Sequence, residues 1–126
     1  MSKLNSQENY LRCTCPMEFT MNTIAGKWKL VILWHIYEEK ILRYGQLKKK
    51  LNNITHKMLS NQLKELISYD LVNKKVYNQI PPKTEYTLTN RGKTLVPILD
   101  MMYEWGVDNM YSIKEQMSKE EISKAQ

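Results

Sequence analysis

At 126 residues, 42% of them hydrophobic, the chain is long enough to bury one core and too short for two comfortable domains. Nineteen Lys and Arg against 13 Asp and Glu leave a formal charge of +6, a bias toward polyanionic partners that fits nucleic acid and anionic membrane equally. No run of about 18 apolar residues is present and "MSKLNSQENY" lacks the apolar stretch of a signal peptide, which argues against a membrane span or export and for a cytoplasmic protein.

Cys13 and Cys15 are too few for a disulfide framework, and in a reducing compartment they are two free thiols. No helix with a Lys/Arg-rich polar face and an unburied apolar face stands out, so no membrane partner is expected. Internal repeats, low-complexity tracts and Gly/Ser/Pro linkers are lacking.

In chain order, residues 17–25 follow Pro16, a residue favoured at the first helical position. "WKLVILWHIYEE", 28–39, is apolar nearly all round and reads as the central buried helix. "ILRYG", 41–45, is a short strand or turn, and "QLKKKL", 46–51, a short helix with Leu47 and Leu51 facing inward. After "NN", Thr55 is a suitable N-cap for a helix that runs to about Tyr69. "LVNKKVYN" and "KTEYTLT" flank "QIPP", whose prolines cannot donate ladder hydrogen bonds, and form a hairpin. Thr89 then caps a last long helix over 90–117, with Pro97 expected to bend it.

The helix that follows Thr55 carries the functional signal. At about 100° per residue, Ser60, Asn61 and Lys64 fall within about 60° of Lys57, while Leu59, Leu63, Leu66 and Ile67 lie on the opposite side. One face is core. The other gathers a hydroxyl, an amide and two ammonium groups, with Thr55 and His56 at its N-terminal tip, all able to hydrogen-bond base edges and phosphates in a major groove. For a lone helix a solvated face is the simpler reading. The order helix, turn, helix, basic hairpin favours a winged helix-turn-helix whose second helix reads double-stranded DNA.

From Cys15 to Gly106 the chain also resembles the HxlR family of bacterial winged helix-turn-helix transcription regulators, relatives of the MarR group. The resemblance rests on "CP" at 15–16, "GKW" at 26–28, I-x-x-K-M-L at 54–59, L-x-E-L at 63–66 and PP-x-x-EY-x-LT at 81–89, taken in that order. It implies a mainly α fold with a small β-hairpin: a winged helix-turn-helix domain with N- and C-terminal dimerisation helices. On this division the single domain spans 1–126, with a DNA-binding core at about 17–89 and dimerisation helices at about 1–16 and 90–117. It further implies a homodimer on a palindromic operator, and matches Thr55, His56, Lys57, Ser60, Asn61 and Lys64 to the family's recognition helix. Lys83 falls where the family carries a basic wing-tip residue, and His56 replaces a common proline.

Lys74, Lys75 and Lys83 cluster on or beside the hairpin, whose tip Ile80-Pro81-Pro82 is suited to lie along a DNA backbone or in a minor groove. Lys75 and Lys83 join the DNA-binding set. In the last helix Leu95, Leu99, Met102, Trp105 and Met110 recur at helical spacing; such a stripe is usually core, but here it is long enough to serve a second subunit.

Cys15 stands before Pro16 at a helix start, where free N–H groups and the helix dipole favour a thiolate. The matching cysteine of several family members senses electrophiles or oxidants, so the resemblance implies a redox switch at Cys15 with Cys13 as a resolving thiol, against the plainer reading of an inert cysteine. Neither a cofactor nor a metal is expected, since His35 and His56 lie on different helices and leave zinc short of ligands. A thiol oxidoreductase would need a C-x-x-C pair that "CTC" does not supply. No enzyme is expected. The remaining alternative is a winged helix used for protein contacts without DNA, which the clustered lysines argue against.

Overall fold

The computed structural model describes residues 12–125, which fall into two units divided between Lys93 and Thr94. The first holds α1 (Pro16–Ile24), α2 (Lys29–Glu39), β1 (Leu42–Arg43), α3 (Tyr44–Lys50), α4 (His56–Ser68), β2 (Val72–Tyr77), β3 (Lys83–Leu88) and the short α5 (Asn90–Lys93). The second holds α6 (Val96–Ala125).

The core of the first unit is aliphatic. α2 supplies Ile32, Leu33 and Ile36, all without solvent exposure, in keeping with its continuous apolar run. Leu47 of α3, the Leu51 and Ile54 that follow it, and Leu59, Leu63 and Leu66 of α4 close over them. At about 25 cal/mol per Å² of apolar surface, each such side chain contributes roughly 1.5–3 kcal/mol when fully buried. Losing one from α4 would therefore loosen the helix that carries the polar face.

The expected hairpin is part of a three-stranded antiparallel sheet in the order β1-β3-β2. Leu42 pairs with Tyr86 and Arg43 with Glu85 on one side of β3, and Val72 through Tyr77 pair with Leu88 through Lys83 on the other. The period of two puts Leu42 and Tyr86 on the buried side. Arg43, Lys75, Tyr77, Lys83 and Glu85 accordingly share the outer face.

The first helix of the helix-turn-helix pair begins earlier than its residues suggest. The backbone N–H of Arg43 donates to Oε1 of Gln46 at 2.9 Å, so a side chain three residues on closes the helix start and draws Tyr44 and Gly45 into α3. At α4 the expected cap is present, with Thr55 Oγ1 accepting from the N–H of Met58 at 3.1 Å. Asp70, at φ 58°, then turns the chain out toward β2, a left-handed position that aspartate tolerates better than most side chains.

The expected single helix over 90–117 divides. α5 ends at Lys93, and α6 begins at Val96 and continues to Ala125. Pro97 is therefore the second residue of α6, where a missing N–H costs no helical hydrogen bond, and it starts a helix instead of bending one. Thr89 caps the short α5, its hydroxyl accepting from the N–H of Gly92 at 2.9 Å. No helix among the described residues is long and apolar enough to cross a membrane. Of the N-terminal dimerisation segment expected over about 1–16, residues 1–11 lie outside the described residues.

Candidate nucleic-acid interface

α4 presents its two faces as its sequence requires. Leu59, Leu63 and Leu66 are buried, and Lys57, Asn61 and Lys64 are exposed on the other side. Among the described residues no hydrogen bond or ion pair engages those three side chains, so an amide and two ammonium groups remain available on one helix face.

The N-terminal tip is more constrained. Tyr44 of α3 stacks on His56, with ring centroids 5.8 Å apart and planes at 13°. Its hydroxyl lies 3.1 Å from His56 Nδ1 and 3.3 Å from Ser60 Oγ, and donates to the His56 carbonyl at 3.2 Å. Ser60 is only half-exposed. The tyrosine thus fastens the first helix of the motif to the second and holds two of the expected reading residues in place. Sequence reasoning passes over it, because its partners lie 12 and 16 residues away and its own segment reads as a short strand or turn.

A second tie comes from the core side. Lys29, at the start of α2 and nearly buried, pairs with Glu65 of α4 at 2.6 Å, and its ammonium sits 5.5 Å from the centre of the Tyr69 ring. Removing the lysine would leave Glu65 half-exposed and able to hydrate, so the loss falls on helix positioning more than on an uncompensated charge. His35, the other histidine, has its pKa lowered, by burial first and by the nearby Lys50 second.

On the wing, Lys83 Nζ lies 2.9 Å from Glu85 Oε1, and the Tyr77 hydroxyl donates to Glu85 Oε2 at 3.3 Å. The Lys83 hydrogen bond is the main cause that holds the Glu85 carboxyl below its usual range. The Tyr77 ring has the ammonium of Lys75 at 4.8 Å and that of Lys83 at 4.7 Å from its centre. Lys83, expected as a basic wing-tip residue, therefore begins β3 with its charge already matched by Glu85, whereas Lys75 has the Tyr77 ring beside it.

The remaining expected residues divide in the same way. Cys15 is the exposed N-cap of α1. Cys13 is half-exposed, and its sulfur accepts from the Asn22 side-chain amide at 3.0 Å, a neighbour one turn or more into α1 that the sequence did not single out. In the second unit Leu99 is buried and Leu95, ahead of the helix, is half-buried, while Met102, Trp105 and Met110 are exposed. The unburied part of the stripe thus begins beyond Leu99.

A family described as HxlR-like helix-turn-helix matches residues 23–114. MalR of Fusobacterium mortiferum is 52% identical over 95 residues, covering 75% of this chain and 90% of the relative. The uncharacterized HTH-type transcriptional regulator BH0655 of Halalkalibacterium halodurans is 48% identical over 94 residues, covering 75% and 83%. Among solved structures, the redox regulator HypR in its oxidized form superposes with a TM-score of 0.72 at 43% identity, over 75% of this chain and 97% of that one. In its reduced form the TM-score is 0.74 at 40% identity, over 80% and 99%.

Proposed function

The chain belongs to the HxlR-like helix-turn-helix family, as a transcriptional regulator of the winged helix-turn-helix type, and on that premise we propose that it binds a palindromic DNA operator as a homodimer. The observation that carries the reading is the unengaged Lys57, Asn61 and Lys64 face of α4, opposite a buried leucine face. An α-helix fits a major groove, an asparagine side chain suits the paired acceptor and donor of adenine, and two lysines suit the flanking phosphates.

Thr55 and Ser60 take a lesser part in this reading, as cap and as partner of Tyr44, and His56 presents the ring that Tyr44 supports. Lys75 and Lys83 follow the backbone beside the wing. Selection of bound duplexes from a random pool tests the whole reading: an enriched inverted repeat is expected, and a pool without enrichment at low salt would refute it.

Within that set, Asn61→Ala is expected to cost about 1–3 kcal/mol on the selected operator and little on random DNA. A Lys75→Ala loss should instead be shared by both DNAs. Equal losses on both for Asn61→Ala would remove that residue from base reading.

The reading extends to control by thiol oxidation at Cys15, supported by its exposure at the start of α1 and by the likeness to a redox regulator. With diamide, a diazene, the Cys15 thiolate adds to the N=N bond; a second thiol, Cys13 of either subunit, then displaces the adduct. One S–S bond forms, and the two electrons and two protons leave on the hydrazine product. A coupling of about 1–3 kcal/mol, usual for such switches, corresponds to a 5- to 150-fold change in operator affinity. Titrating the operator before and after diamide should show that change in the wild type and none in Cys15→Ser. A like response from both would assign Cys15 a structural part only.

A further inference from the structure

The tip of α4 presents its hydrogen-bonding groups with a fixed polarity. The His56 carbonyl at 3.2 Å, His56 Nδ1 at 3.1 Å and Ser60 Oγ at 3.3 Å converge on the Tyr44 hydroxyl, which has a single hydrogen to share among them. A carbonyl oxygen can only accept. One placement of the hydrogens therefore satisfies all three contacts: Tyr44 donates to the His56 carbonyl, and its oxygen accepts from Nδ1–H of His56 and from the hydroxyl of Ser60. Any other placement sets the lone pairs of the phenol oxygen against those of the carbonyl.

That placement decides what the two side chains have left to offer. A neutral imidazole carries one N–H, so with its hydrogen on Nδ1 the other nitrogen, Nε2, is bare and accepts. Ser60, its own hydrogen given to Tyr44, keeps only oxygen lone pairs. The His56 ring is exposed, and among the described residues Nε2 has no partner. In a major groove the acceptors N7, O6 and O4 repel such groups, as the phosphates do, and the exocyclic amino groups of adenine and cytosine are the donors that fit them. Lys57 and Lys64, on the same helix, offer donors only. The tip thus differs in polarity from the face behind it.

We propose that His56 Nε2 and Ser60 Oγ read amino groups, each accepting from adenine N6 or cytosine N4 at the base pairs under the start of α4, and that Tyr44 is the positioning residue that sets them so. The inference rests on the DNA-binding reading above and adds to it the chemical class of base met at the helix tip. Guanine and thymine are refused at those two contacts, because their major-groove edges carry no hydrogen-bond donor.

The experiment removes amino groups one at a time. In the selected operator each adenine is replaced in turn by purine, which lacks the N6 amino group and keeps N7, and each cytosine by 2-pyrimidinone, which lacks the N4 amino group. Affinities are measured at pH 8, so that imidazole is neutral, for wild type, His56→Ala, Ser60→Ala and Tyr44→Phe. Loss of one accepted hydrogen bond should weaken wild-type binding by about 2- to 12-fold at the positions that His56 and Ser60 contact. His56→Ala and Ser60→Ala should each show no penalty at their own position, and comparing proteins on the same DNA cancels the cost of the altered base pair itself. Tyr44→Phe keeps the ring beside His56 and drops the hydroxyl, which frees both groups to turn a hydrogen outward, so the two penalties should shrink together. A purely structural part for Tyr44 would weaken binding to the intact operator and leave the profile across the analogues unchanged. A wild type in which no amino deletion costs affinity through His56 or Ser60, or a Tyr44→Phe protein with the wild-type profile, would overturn the assignment while leaving DNA binding by α4 intact. A pool that yields no operator would overturn both.

Discussion

Trp105→Asp is expected to yield a folded monomer that has lost operator affinity by about 10²- to 10⁴-fold, the range by which a second linked contact exceeds a single one. The argument begins with exposure. Trp105 is 64% exposed in the single chain and Met102 50%, so an aspartate at either place removes little from the fold of the chain itself. A tryptophan left in water is a poor use of its large apolar surface, and α6, at 30 residues and about 45 Å, carries Met101, Val107, Met110, Tyr111, Ile113 and Met117 exposed as well. An apolar surface of that extent suits a second copy of the chain, and a symmetric dimer would set two recognition helices at a fixed spacing. A buried carboxylate on each side of the twofold axis would be strongly unfavourable. Sedimentation at micromolar concentration and operator titration of the same samples check it. A wild type that sediments as a monomer, or a Trp105→Asp protein that remains dimeric, would defeat the dimer reading.

The parts of this molecule that could be read in advance are those whose causes are local. Thr55 and Thr89 announce helix starts because a hydroxyl at an N-cap needs only the N–H groups that follow it, and both caps are present. The leucines of α4 announce a buried face through spacing alone. The wing hairpin is marked by the prolines between its strands, and "ILRYG" reads as a short strand or turn, but the pairing of that strand with β3 does not follow, since two residues at Leu42 and Arg43 are too short to show a period.

What was not legible depends on encounters in space. Tyr44 acts through His56 and Ser60, and nothing in "ILRYG" marks it as part of a helix until Gln46 is seen to close the turn. Lys83 and Glu85 lie two apart on one strand face, a spacing that permits their pairing but does not require it, because Arg43 and Lys75 flank the same carboxylate. Pro97 shows the limit of a residue-level rule. A proline bends a helix from inside and begins one from its first turn, and only the break at Thr94 and Leu95 decides between them.

The same corner of the fold gives the largest expected effect on stability. Gly92 is buried in α5, and a Cβ built on it would lie far inside van der Waals contact with the backbone carbonyl oxygen of Leu71. That oxygen is not free to yield. It accepts from the N–H of Thr89 at 3.1 Å, while the Thr89 hydroxyl donates to the Asp70 carbonyl at 2.6 Å and accepts from Gly92 N–H at 2.9 Å. α5 is thus fastened to the turn between α4 and β2 by hydrogen bonds whose geometry requires a residue without a side chain. Gly92→Ala must displace backbone, where a flexible side chain could have swung aside, and should destabilise the protein by about 1–3 kcal/mol or more. Gly45→Ala is the matched control, since nothing lies within 4 Å of a Cβ added there and, in the first turn of α3, alanine restricts the unfolded chain more than glycine does, a gain of about 0.4–1 kcal/mol. Urea unfolding followed by circular dichroism should move the midpoint down for Gly92→Ala and leave it level or slightly raised for Gly45→Ala. If Gly92→Ala unfolds at the wild-type midpoint with an unchanged slope, the close approach at Leu71 is not a constraint on the fold.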